Sequence, residues 1–143
     1  MKTVRKVIVL AVVMIALVGL VAAADGMAPI DPSIIGEWRW TEASTPVGSL
    51  EPLPQQEYLV TFREDGTVLL DFESNEIDGV FTADGSTVSI TPDTSGSPDW
   101  LPGSPAERLL ELISQARDYS VTDSELSLET LGGNGSLDFD RVN

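Results

Sequence analysis

The side chains in this sequence that could do chemistry are almost all carboxylates. The 143 residues include 23 Asp and Glu but no His and no Cys, which excludes imidazole bases, thiolate nucleophiles, disulfides and the usual zinc ligands. Calcium binding would need a loop of alternating Asp or Asn with a distal Glu. Asp65-Gly66 and Asp84-Gly85 are explained by turns, and Asp123 lies in the connector Thr122-Asp123-Ser124, which also has turn chemistry. We therefore predict no metal site and no cofactor.

Catalysis by these carboxylates is also not expected. Glycoside hydrolysis needs two acids flanking a sugar cleft, and no pair is distinguished in the sequence. A serine nucleophile would lack its base, because the last Lys is Lys6 and there is no His. We predict that the protein is not an enzyme.

Three residues are candidates for contact or modification. Trp100 lies in a polar loop between Pro98 and Pro102, where an aromatic ring is available to a ligand or partner. Asn75 is expected at a strand end, where its amide can bond either a ligand or the backbone. Asn134 begins an Asn-Gly-Ser sequon, which predicts glycosylation in an exported chain, although a Gly-rich turn explains the same residues.

The N-terminal segment has the pattern of an export signal. Lys2, Arg5 and Lys6 precede an uncharged apolar run from residue 7 to 24, which ends in three alanines. We predict a signal peptide over residues 1–24 with cleavage after Ala24, the alternative being an uncleaved membrane anchor. Residues 25–33 form a tether, and residues 34–143 form one domain outside the cytoplasm.

Charge narrows the choice of partners. After residue 24 the chain has five arginines and no lysine against 23 acids, a formal charge of −18. Such a negative field repels nucleic acid and anionic lipid, so membrane contact is expected only through residues 1–24, and only if they are not cleaved. A protein surface this acidic also predicts that the domain tolerates high salt. We expect a monomer that binds a protein or a small ligand.

The domain is predicted to be mainly β. Alternation in residues 35–40 places Trp38 and Trp40 on one, core-facing side of a strand. Residues 41–54 are expected to form a loop. Asp-Gly turns then predict two hairpins. The other strands expected are residues 57–62, 67–72, 79–82, 87–90, 119–121, 125–129 and 136–141.

One helix is predicted in the soluble domain. Ser104 and Glu107 fit a capping box, Pro105 suits the first turn, and apolar residues recur at helical spacing from Ala106 to Ala116. The fold class is therefore α+β: a compact, antiparallel, barrel-like sheet of about eight strands with one helix packed against it, preceded by the N-terminal signal or anchor helix.

The order of motifs resembles the META domain family, also called HslJ-like. The resemblance is carried by Gly36-Glu37-Trp38, by Val60-Thr61-Phe62 before Asp65-Gly66-Thr67, and by Asn75 four residues before Gly79-Val80-Phe81. It extends over about residues 34–142, although Ser74 stands where the family often has Cys. It implies an exported, stress- or resistance-associated domain of the cell envelope or extracellular space, with no established catalytic residues.

A lipocalin-like carrier with an internal pocket is the alternative, since such proteins share the early Gly-x-Trp. The two hypotheses differ in whether the barrel interior is hollow. The META-type hypothesis has it filled by six side chains: Trp38, Phe62, Phe72, Phe81, Ile90 and Phe139.

Overall fold

A computed structural model describes residues 29–133 and 135–143. The predicted signal or anchor helix, residues 25–28 of the predicted tether and the sequon residue Asn134 lie outside the described residues.

Four of the strands form a continuous antiparallel meander. They are β3 (Tyr58–Phe62), β4 (Thr67–Phe72), β5 (Asn75–Ala83) and β6 (Val88–Pro92). Aspartates shape two of the turns, since Asp65 Oδ1 accepts from the Thr67 N–H (2.9 Å) and Asp84 Oδ1 accepts from the Thr87 N–H (2.7 Å). The glycine that follows each aspartate has a positive φ, the conformation that glycine adopts at little cost.

The remaining strands complete the sheet. They are β1 (Gly36–Thr45), β2 (Gly48–Leu50), β7 (Ala116–Val121), β8 (Glu125–Thr130) and β9 (Ser136–Arg141). The predicted loop at residues 41–54 is partly strand, because β1 runs on to Thr45 and pairs there with β2 in a short hairpin. Pairing along β9 supports this extension of β1, with a register shift between Trp40 and Glu42.

The sheet curls into a nearly closed barrel. Its strand order is β6-β5-β4-β3-β1-β9-β8-β7, with β2 attached to β1 outside this path. The two end strands, β6 and β7, approach at the bridge between Thr87 and Asp118, beside a hydrogen bond from the Tyr119 N–H to the Ser86 carbonyl (3.0 Å). For the part of the chain that the structure describes, the predicted fold class is confirmed: it is antiparallel and barrel-like, with eight strands in the ring and one α-helix.

The helix α1 (Ala106–Ser114) packs against β6 and β8, where β6 and β7 diverge. Its buried residues are Ala106, Leu109, Leu112 and Ile113, which lie on the predicted apolar face. The helix ends at Ser114, however, so Ala116, the last residue of the predicted helical pattern, is the first residue of β7. Ser104 caps the first turn by accepting from the Ala106 N–H (2.9 Å). The second half of the predicted capping box does not form, since the Ser104 N–H donates to the Leu101 carbonyl (3.0 Å) instead of to Glu107. Within the described residues no helix is long and apolar enough to cross a membrane.

The N-terminal segment closes the end of the barrel where β1 begins and β9 ends. A 3-10 helix (Pro32–Ile34) lies there, and its Ile34 carbonyl accepts from the buried Trp38 Nε1–H (2.9 Å). The guanidinium of Arg141 lies over the Trp38 ring, 4.2 Å from its centre. It also donates to the Ser33 (2.8 Å), Ile35 (3.1 Å) and Asp123 (2.9 Å) carbonyls.

Tyr119 connects the N-terminal segment to the place where β6 and β7 approach each other and close the barrel. Its hydroxyl donates to Asp31 Oδ2 (2.6 Å) and accepts from the Gly85 N–H (2.6 Å). Burial and the bond to Asp31 raise the pKa of Tyr119, and this bond is the main reason that the pKa of Asp31 is lowered. One hydroxyl therefore connects β7, the β5–β6 turn and the N-terminal segment.

Candidate functional site

A short segment crosses the other end of the barrel, where β4 ends and β5 begins. We call residues 99–104 the strap. The Asn75 side chain bonds Asp99 twice, donating to its carbonyl (3.2 Å) and accepting from its N–H (3.0 Å). Glu73 Oε1 accepts from the Leu101 N–H (2.8 Å), and Glu73 Oε2 accepts from the Ser104 hydroxyl. Two residues of one turn thus attach the strap at three points.

Glu73 is a buried carboxylate, 8% exposed. Besides its two bonds to the strap, its Oε2 accepts from the Tyr58 hydroxyl (2.7 Å). Burial alone would raise the pKa of Glu73, but the bonds from Ser104, Tyr58 and the Leu101 N–H outweigh it and lower the pKa. Burial and the bond to Glu73 raise the pKa of Tyr58 to about 12. At neutral pH the cluster therefore holds one negative charge, on Glu73, surrounded by neutral donors.

The turn that carries Glu73 has an unusual backbone. Phe72 pairs with Asn75, so Glu73 and Ser74 form a two-residue hairpin turn, with φ of 54° and 67°. Such turns favour Asn-Gly, because both residues need a positive φ, and other side chains there are strained. The Asn75 amide supports the turn from within by donating to the Phe72 (3.2 Å) and Glu73 (3.3 Å) carbonyls.

An open groove of about 480 Å³ lies beside the strap. Its walls are residues 74–78 of β5 and the preceding turn, residues 93–98 before the strap, and Leu110 of α1. The Asp93 N–H donates to the Asp78 carbonyl (2.7 Å), which fixes one wall to the other. Glu76, Asp78 and Asp93 give the groove a negative charge, and its lining contains no Lys or Arg.

The barrel interior is filled with side chains. All six residues chosen to test for a hollow barrel are buried, none of them more than 4% exposed: Trp38, Phe62, Phe72, Phe81, Ile90 and Phe139. Trp40 lies among them with its ring edge-on to Tyr58, the ring centres being 5.4 Å apart. Its Nε1 is buried and, among the described residues, has no hydrogen-bond acceptor.

The structure places the two predicted contact residues, Asn75 and Trp100, near each other at the strap. Asn75 bonds Asp99, the residue before Trp100 in the strap. Trp100 itself is partly buried against the core, and the next residue, Leu101, bonds Glu73. The Asn75 side chain is engaged with the backbone in the described structure. Asn134 is not described, and the sequon stays a prediction.

The sequence analysis did not select Glu73 or Tyr58, although Glu73 is close in the sequence to Asn75, which it did select. Glu73 precedes Asn75 by two positions at a hairpin turn where glycine or asparagine would be expected, and that mismatch was the signal available. Its partners Leu101 and Ser104 lie 28 and 31 residues along the chain. No local pattern links residues so far apart.

Comparison with known proteins supports the fold. Neither protein-family profiles nor curated proteins give a match. A DUF4847 family protein from Bacteroides vulgatus is 18% identical with a TM-score of 0.58, over 76% of this chain and 94% of that one. A protein from Burkholderia xenovorans, solved by NMR, is 15% identical with a TM-score of 0.60, over 82% and 92%.

Proposed function

We propose that this chain is an exported, META-type domain of the cell envelope or extracellular space that acts by binding and not by catalysis. The groove beside the strap is the binding surface, and its partner is a basic segment of another protein. The observation that carries this proposal is that the two walls of the groove are tied together. One wall is β5. The other, residues 93–98, is attached to β5 at both ends, through the bond between Asp93 and Asp78 and through the bonds between Asp99 and Asn75. A groove held open in this way needs little ordering when a partner binds.

The charge of the groove supports the class of partner. Glu76 and Asp78 project outward from neighbouring positions on one face of β5, both exposed. No basic side chain lines the groove to neutralise them. A lysine- or arginine-bearing segment would complement this charge and gain in association rate.

The binding test must separate the groove from the general acidity of the protein. The measurement is fluorescence anisotropy of a labelled hexa-arginine peptide at 0.15 M NaCl. Glu76→Gln combined with Asp78→Asn removes two charges from the groove, and we expect about tenfold weaker binding. The matched control, Asp138→Asn with Asp140→Asn, removes two charges from exposed positions on β9 and should change binding less than twofold. Equal losses in the two double variants would overturn the groove as the site.

Export has its own test. Expression of the full chain in a bacterial host, followed by fractionation and N-terminal sequencing, should give a product outside the cytoplasm that begins at Asp25. A product outside the cytoplasm that begins at Met1 would identify the N-terminal segment as an anchor. Full-length protein found free in the cytosol would contradict export.

A further inference from the structure

The first part of β5 has one edge that no strand of the described chain covers. Strand β4 pairs with residues 75–80 of β5, whereas β6 pairs only with residues 79–83. On the β6 side the pairing continues by one further bond, from the Asp93 N–H to the Asp78 carbonyl (2.7 Å). Residues 75–77 therefore border the groove with a free strand edge.

The main-chain groups of Glu76 point from this edge into the groove. In an antiparallel sheet, successive residues direct their N–H and carbonyl groups to opposite neighbouring strands. The Phe81 N–H donates to the carbonyl of Gly66 (2.9 Å), which directly precedes β4, and the Asp78 carbonyl accepts on the β6 side. Glu76 shares the direction of Asp78, two residues away, and is exposed. Its N–H and carbonyl therefore face a groove in which the described chain offers them no partner.

The part of the chain that could have filled this edge turns away from it. Asp93 bonds Asp78 in the register of the β5–β6 pair. The same register would place Ser95 opposite Glu76. The Ser95 N–H donates instead to Asp93 Oδ1 (3.0 Å), a side-chain turn typical of aspartate, and residues 93–98 form the opposite wall of the groove instead of a strand. The edge at Glu76 consequently has no partner from its own chain.

We propose that the groove takes its basic partner as an extended segment that pairs with the main chain of Glu76, in the place left open by Ser95. The pairing rests on the function proposed above, and it adds the conformation and the side-chain pattern of the partner. Strand addition of this kind obtains affinity from main-chain bonds and specificity from alternate side chains. The bonds at Asn75 and Asp78 close the free edge at both ends, about 10 Å apart at 3.3 Å per residue. About three residues of the partner can therefore pair before it leaves through the open side of the groove.

The geometry of an antiparallel pair determines which side chains the partner presents. The residue opposite Glu76 has its side chain on the same face as the Glu76 carboxylate, about 5 Å away between Cβ atoms, and Asp78 lies on that face as well. A lysine or arginine fits there. The residues before and after it point to the other face, on the side of Ile77, where Leu110 of α1 lines the groove. The partner segment thus has an apolar–basic–apolar pattern.

N-methylation of a peptide separates main-chain pairing from charge. The probe is the amidated peptide Gly-Ser-Val-Arg-Val-Ser-Gly with an N-terminal fluorophore, measured by anisotropy with the full chain. A methyl group on the arginine main-chain nitrogen removes the donor to the Glu76 carbonyl, and we expect it to weaken binding at least about tenfold. A methyl group on the nitrogen of the following valine is the matched control. Because that N–H points away from β5, its loss should weaken binding less than about threefold.

The amide signal of Glu76 reports on the same contact from the protein side. In the full chain labelled with ¹⁵N, we expect this signal to move downfield, and its proton to exchange more slowly, when the unmethylated peptide binds. The Phe81 signal should stay in place because its N–H is already bonded to Gly66. Glu76→Pro removes the donor at an edge position, where proline costs no bond to β4. It should bind the peptide at least about threefold more weakly than Glu76→Gln, which loses the charge alone.

The outcomes separate strand pairing from the charged groove. Equal weakening by the two N-methyl groups, with a Glu76 amide signal that does not respond, would overturn strand pairing. A loss of hexa-arginine binding in Glu76→Gln with Asp78→Asn would in that case still support the groove as a basic-segment site. Absence of binding by hexa-arginine and by the unmethylated peptide would overturn both proposals.

Discussion

Ser74 adopts a left-handed backbone conformation that is unfavourable for residues other than glycine. Its φ is 67°, it is the second residue of a two-residue hairpin turn, and its side chain is exposed. Glycine adopts this conformation freely, so we expect Ser74→Gly to raise the free energy of unfolding by about 1 kcal/mol. Urea denaturation measures the change. Ser74→Ala is the control, because alanine keeps the strain; an equal gain in both variants would show that the serine hydroxyl, and not φ, is responsible.

Glu73 makes the strap sensitive to acid. Its pKa is lowered by the bonds from Ser104, Tyr58 and Leu101. A carboxyl whose pKa is lower in the folded state stabilises that state above its ordinary pKa of 4.5, and this stabilisation is lost as the pH falls through the folded value. Glu73→Gln should be less stable than the wild type at pH 7, and the difference should shrink below about pH 4.5.

Thermal unfolding from pH 7 to pH 3 measures this difference. Glu76→Gln is the control, as Glu76 is exposed on the same hairpin and its substitution should leave the pH profile close to that of the wild type. A Glu73→Gln curve parallel to the wild type at every pH would contradict the prediction.

At the scale of elements, Arg141 on β9 joins two segments that are distant from each other in the sequence. It bonds the N-terminal segment through the Ser33 and Ile35 carbonyls and the β7–β8 turn through the Asp123 carbonyl, while stacking on Trp38. Gly36 makes room for it, since a Cβ at Gly36 would lie 2.9 Å from Arg141 Nη1. The C-terminal strand thereby holds the N-terminal segment over one end of the barrel.

Lysine cannot replace Arg141 in this arrangement. A single ammonium group does not reach three carbonyls in the directions of a guanidinium fork, and it stacks less well on the indole. We expect Arg141→Lys to lower the free energy of unfolding by about 2 kcal/mol, measured in urea. Arg117→Lys, at an exposed position on β7, should change it by less than about 0.5 kcal/mol. Similar losses in the two variants would mean that the contacts of Arg141 are dispensable.

Elements set by local residues could be predicted from the sequence. The two Asp-Gly hairpins and α1 follow from turn chemistry and apolar spacing that lie within a few residues of one another. The extension of β1 to Thr45 could not be predicted, because pairing with β2 and β9 stabilises a stretch that has no strand pattern of its own. The same holds for the site: Asn75 and Trp100 could be selected individually, but their connection through Glu73 depends on the tertiary fold.

At the scale of the whole molecule, acidic residues far outnumber the basic residues that could form ion pairs with them. The residues after Ala24 have a formal charge of −18, and the described part of the chain contains two ion pairs, Arg39–Glu57 and Arg108–Glu111, both exposed. Exposed pairs contribute little to stability. Most carboxylates are therefore balanced only by solvent ions, while the packed interior and the two covered barrel ends hold the fold together.

Repulsion among the surface carboxylates should make the stability of the folded domain rise with the salt concentration. The screening length falls from about 10 Å at 0.1 M to about 3 Å at 1 M, so repulsion between carboxylates on neighbouring strands weakens. We expect the melting temperature to rise by about 5 °C between 0.05 and 1 M NaCl. A triple variant, Asp71→Asn, Asp138→Asn and Asp140→Asn, should start from a higher melting temperature and respond less to salt. A wild-type melting temperature that is indifferent to salt would show that the acidic surface solvates the domain without destabilising it, and would contradict the predicted tolerance of high salt.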